Sequence, residues 1–99
     1  MATEISPRAE LRPADRLSTL RTMLHLAKPE NSRMVAATIG HHLDLITVEA
    51  APGPAIAEAS DTVRDASLGF LTALHGRGDV VAGRAAALAS IDHLAASLG

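Results

Sequence analysis

Apolar residues recur along the chain at helical spacing, and the longest run of this kind, residues 30–50, carries two apolar stripes instead of one. Val35, Ile39, Leu43, Ile46 and Ala50 make the first stripe. Met34, Ala37, His41, Leu45 and Val48 make the second, on the opposite side. Arg33, Asp44 and Thr47 fill one strip between them, and Thr38, His42 and Glu49 fill the other. A helix that is apolar on two sides has to be covered on two sides. Either it lies centrally in its own fold, or a partner covers the second face.

Three further helices follow from the same reading. Leu17, Leu20, Leu24 and Ala27, with Met23 alongside, give a narrow stripe that Pro29 ends near Lys28. Arg16, Arg21 and Lys28 fall outside that stripe or at its edge. Ala51-Pro52-Gly53-Pro54 breaks the chain, and Pro54 opens a helix whose seam runs through Ile56, Ser60, Val63, Ser67, Phe70 and Leu74. Gly76 suits a left-handed C-cap. Asp79 suits the N-cap of a last helix that presents Val80, Ala87, Leu88, Ile91, Leu94, Ala95 and Leu98 on one side. Arg84 falls inside this last stripe, so it must snorkel or meet an acid. Gly83 with Ala87, and Gly69 with Ala73, have the spacing at which helices pack closely. The expected fold is all-α: a four-helix antiparallel bundle with helices at about 13–28, 30–50, 54–75 and 79–98. Residues 1–12 are expected as a mobile N-terminal segment and 13–99 as a single helical domain.

Composition narrows this further. With 99 residues, the chain has room for one modest core. Phe70 is its single aromatic residue, so that core must be Leu, Ile, Val, Met and Ala, and Ala favours helix above all other residues. Without Cys, thiol catalysis, disulfides and Cys-ligated metal are excluded within the chain, which fits a cytoplasmic location best. The first residues lack the apolar h-region of a secretory leader and no run of 18 apolar residues occurs, so neither a leader nor a membrane partner is expected. The excess of Arg over Lys, with abundant Ala, is the bias of a GC-rich bacterial coding sequence. A net charge of −2 and the lack of aromatic stacking groups argue against nucleic acid. The charge is uneven: residues 1–33 sum to +2 and residues 34–99 to −4, so the two parts could attract each other. Arg8, Arg12 and Arg16 are four apart, but Glu4, Glu10 and Asp15 interleave with them as on a solvated face.

Five histidines invite a metal hypothesis. His41 with Asp44, and His42 with Glu49, share helix faces, yet neither pair makes a full ligand motif, and His41 packing on the second stripe is the plainer reading. Arg77-Gly78-Asp79 matches an integrin-recognition tripeptide, but Gly78 and Asp79 already have structural work in a turn. The serines lie in helical patterns with no nucleophile elbow, and no glycine-rich phosphate loop follows a strand.

His25-Leu26-Ala27-Lys28 resembles the HxxKG element of histidine-phosphotransfer domains, which are helical bundles of similar length, with Pro29 standing where that element has Gly. The resemblance implies an exposed His25 accepting a phosphoryl group, with Lys28 steadying its charge; His42 is the other candidate acceptor. Against this, the apolar surface of the second stripe points to contact with another chain. The expectation is a small non-catalytic protein–protein interaction module, an adaptor, regulator or chaperone-like protein, without cofactor or metal. Its partner is itself, as a dimer or higher oligomer, or another protein, through Met34, Ala37, His41, Leu45 and Val48. The alternative is a histidine-phosphotransfer-type signalling domain using His25 or His42.

Overall fold

A computed structural model describes residues 13–49 and 53–98 of the chain. The expected segment 1–12 lies outside the described residues, as do Ala50 and the breaker residues Ala51 and Pro52. Four helices account for nearly all of the rest: α1 (Pro13–Leu26), α2 (Ser32–Glu49), α3 (Pro54–Leu74) and α4 (Val80–Leu98). No strand occurs among the described residues.

The helix ends follow from local chemistry. α1 stops at Leu26, earlier than the stripe through Ala27 suggests, because Asn31 gathers the chain around itself. Its Nδ2 donates to the Leu26 carbonyl at 3.2 Å, and its Oδ1 accepts from the Lys28 N–H at 2.7 Å. Pro29–Asn31 then forms one 3-10 turn, so α2 starts at Ser32 and not at residue 30. α3 has Pro54 at its first position, where the missing N–H costs nothing. It ends on a turn in which the Gly76 N–H reaches the Ala73 carbonyl at 2.9 Å, with Gly76 at φ 89°, a conformation that favours glycine. The Asp79 carboxylate caps α4 by accepting from the Ala82 N–H at 3.0 Å.

α1 and α3 each pack against both α2 and α4. The shared core holds Leu17, Leu20 and Leu24 of α1, Val35, Ile39, Leu43 and Ile46 of α2, Val63 and Phe70 of α3, and Ala87, Ile91 and Leu94 of α4. These are the stripes that the spacing predicts. Truncating the fully buried Phe70 to Ala would cost about 3–5 kcal/mol. α3 and α4 approach closely: a Cβ added at Gly83 would lie 3.1 Å from the Phe70 Cα. Gly69, by contrast, faces open space, so only one of the two small-residue pairs contributes a glycine to a helix contact.

Arg84 meets no acid among the described residues. Its guanidinium lies over the Phe70 ring, 4.9 Å from the centroid, and its Nε donates to the Leu24 carbonyl at 3.3 Å. The cation thus satisfies itself on a ring face and a helix-end carbonyl while its stem covers the core.

Candidate functional site

The second stripe of α2 is the natural starting point. The core stripe, at Val35, Ile39, Leu43 and Ile46, faces the other helices, and this orientation turns the second stripe outward. Met34 is 52% exposed and Val48 79% exposed; Ala37 and His41 are also exposed, and Leu45 is half-buried. None of the chain's own described helices covers this face. The His41 and His42 rings stand edge to face, with centroids 5.7 Å apart.

Beside the stripe, on the α1 side, lies a polar cluster. Arg16, expected at the edge of its helix stripe, is only 6% exposed. It makes a bidentate pair with Glu49: Nε donates to Oε1 at 2.9 Å and Nη2 to Oε2 at 2.8 Å. Its Nη1 lies 3.3 Å from His42 Nδ1. A guanidinium has only donors, so that nitrogen must accept, and the His42 proton sits on Nε2. Burial pushes the His42 pKa below the ordinary imidazole value, and the Arg16 charge and then His41 push it the same way. The hydrogen bond from Arg16 holds the Glu49 carboxyl below the usual carboxylate range, and Glu49 in turn raises Arg16. His42 therefore does not bond Glu49 directly, as their shared face suggests; Arg16 stands between them and binds both. A neutral imidazole whose Nδ1 already holds a guanidinium hydrogen, and whose Nε2 carries the proton, presents no free lone pair.

His25 is exposed in the last turn of α1. Lys28 lies beyond the helix in extended backbone, at φ −139° and ψ 163°, so the two residues do not share a helical turn. His75 is tied to α2, with Nε2 2.9 Å from the Ser32 Oγ. Among the described residues no group of three His, Asp or Glu comes together in a way that could hold a metal ion. The Arg77-Gly78-Asp79 turn has Gly78 at φ 137° and the Asp79 carboxylate engaged in its cap.

Across the other side of α2, Arg64 of α3 pairs with Asp44, and clefts open along the α2–α3 seam on either side of this pair. Sequence reasoning missed this place, having assigned Ser60 and Ser67 to the seam of small residues and Asp44 to a polar strip. No helix among the described residues is long and apolar enough to cross a membrane. Set beside known proteins, the chain matches no family model, no curated protein and no solved structure, and its functional reading rests on the geometry above.

Proposed function

We propose that the chain is a small non-catalytic interaction module of the cytoplasm, and that it works by pairing with a second copy of itself through the outward face of α2. The observation that carries this reading is the exposure of Met34, Ala37, His41 and Val48 on one continuous helix face. A second copy is favoured by the order of the stripe. It is symmetric about His41: Ala37 and Leu45 stand four residues to either side, and Met34 and Val48 seven. Two such helices laid antiparallel about a two-fold axis at His41 bring Met34 onto Val48, Ala37 onto Leu45, and His41 onto itself. The same arrangement sets the Arg33 end of one α2 against the Asp44 and Glu49 end of the other, so unlike charges meet. The side chains that meet would span about 21 Å of helix at 1.5 Å per residue.

Within one copy, the fold supports an antiparallel bundle. The start of α1 meets the end of α2 at Arg16–Glu49, the start of α2 meets the end of α3 at Ser32–His75, and Arg84 near the start of α4 meets Leu24 near the end of α1. Phosphotransfer is the second reading, supported by the exposed ring of His25. An acid-labile phosphate that disappears in His25→Gln would establish it.

The test of pairing exploits the lack of cysteine. Light scattering coupled to size exclusion, over a range of concentrations, should give a dimer for wild type and a folded monomer for Val48→Glu, whose site is exposed enough to accept a charge. Single cysteines then read the register. His41→Cys should cross-link rapidly to its own copy on mild oxidation, whereas Met34→Cys and Val48→Cys should cross-link to each other and not to themselves. A wild-type monomer throughout, or equal self-cross-linking at all three positions, would sink the proposal.

A further inference from the structure

The two seams beside α3 are built differently. Toward α4 the helices come close at Gly83 and Phe70, where an added Cβ would lie 3.1 Å from the Phe70 Cα. Toward α2 a central cleft of about 190 Å³ opens among Ile39, Gly40, Arg64, Ser67, Leu68 and Leu71, and a second cleft opens beyond Arg64 at Ser60. Arg64 lines both, and its pairing with Asp44 spans the seam between them.

Each cleft has in its lining a serine whose hydroxyl oxygen is closed off from solvent. Ser60 is 2% exposed and Ser67 3% exposed, and neither Oγ bonds a partner among the described residues. A buried hydroxyl without a partner forfeits the hydrogen bonds it makes to water in the unfolded chain, so such a group in a folded chain asks for a partner. Alanine would fit this helix without that cost; Ala59, buried, and Ala66, half-buried, stand next to the serines on the same helix.

We propose that the central cleft binds a small apolar monocarboxylate. The Arg64 guanidinium and the Ser67 hydroxyl supply donors for one carboxylate, and a guanidinium offers nothing but donors, which selects an anion. Asp44 holds Arg64 at present, but its side chain is 71% exposed, and a solvated pair of this kind is exchanged at little cost. Gly40 brings no side chain against the cation; an added Cβ there would already touch it, 3.5 Å from Arg64 Nη1. The remaining walls, Ile39, Leu68 and Leu71, are aliphatic, so the rest of the ligand must be hydrocarbon, and its tail covers the exposed Leu68 at the mouth. The cleft is smaller than the roughly 300–1,000 Å³ that holds a drug-sized ligand, which limits the chain to a few carbons. Ser67 thus finds in the ligand the acceptor that the fold does not give it.

The probe is hexanoate, titrated into the isotope-labelled full-length protein at constant ionic strength and followed by amide chemical shifts. Saturable shifts are expected at Gly40, Ser67 and Leu68, with a Kd of roughly 1 mM for a ligand of this size. Ser67→Ala and Arg64→Gln should each weaken binding about fivefold or more by removing a charge-assisted hydrogen bond. Asp44→Asn should tighten it, because it removes the competitor for Arg64. Ser67→Ala replaces an unpartnered hydroxyl with hydrogen, so it should fold as well as wild type, and its thermal midpoint checks this. Hexanol binding as tightly as hexanoate would overturn the anion assignment. Shifts confined to residues 34–48 of the outward face would overturn the cleft, and so would an affinity indifferent to Arg64, Ser67 and Asp44. Pairing through α2 stands or falls separately, since Val48→Glu reads it without ligand.

Discussion

Arg16 and Glu49 lie 33 positions apart and meet through two parallel hydrogen bonds of 2.9 and 2.8 Å, tying the first turn of α1 to the last of α2. The two partners are unequal: the Arg16 side chain is almost wholly covered, while that of Glu49 keeps about a third of its surface in water. Removing the acid strands a covered cation, whereas removing the cation leaves an acid that water can reach. Glu49→Gln should therefore lower the thermal midpoint at pH 7 more than Arg16→Met, which keeps the aliphatic stem. The folded pKa of Glu49 is depressed, so the pair contributes fully above the unfolded value of about 4.5 and is lost as pH falls through the folded value. The gap between wild type and Glu49→Gln, measured by circular dichroism, should close across that acid range.

His42 titrates in a different window. Its folded pKa is lowered, so below about pH 6.5 the unfolded chain takes up a proton that the folded chain refuses. Stability should fall as pH drops from about 6.5 toward the folded value, and stay level above it. Gln at position 42 keeps an acceptor for Arg16 and cannot titrate. Its thermal midpoint should fall less than wild type between pH 7 and pH 5.5; parallel curves would remove His42 as the source.

Two glycines on the paired helices α3 and α4 should answer the same substitution with opposite signs. Gly69 faces open space within α3, and Ala there should stabilise by about 1 kcal/mol through helix propensity alone. A methyl at Gly83 would press on the Phe70 Cα at 3.1 Å, and backbone yields less readily than a side chain. Gly83→Ala should bring no gain and lower the midpoint, as read by chemical denaturation of the two variants side by side.

The helices and core were legible because each burial choice repeats at helical spacing: Leu17, Leu20 and Leu24, or Ile39, Leu43 and Ile46, are found buried where the pattern puts them. Arg16 escaped because charge was read as exposure. The signal was present: Arg16, Leu20 and Leu24 stand four apart and share one row of α1. The end of α1 at Leu26 depended on Asn31 bonding backward over five residues, which no apolar pattern encodes. The α2–α3 clefts were invisible for another reason. Ser60 and Ser67 look like small seam residues in the sequence, and only packing shows whether a hydroxyl finds a partner. The outward face of α2 could be read as a stripe, but which side of the helix the core would claim depended on all four helices together.

The closeness of Gly83 to Phe70 also has a consequence for how the molecule comes apart. At Gly83 no side chain stands between α4 and the Phe70 backbone, so parting α3 from α4 there breaks a tight contact that nothing flexible can bridge. Across the seam between α2 and α3, where clefts already interrupt the packing, less surface has to be exposed for the helices to part. Amide exchange in α4 and the α4-facing side of α3 should then report the rare global opening. Slight, frequent breathing along α2 would widen the path that a hydrocarbon chain needs.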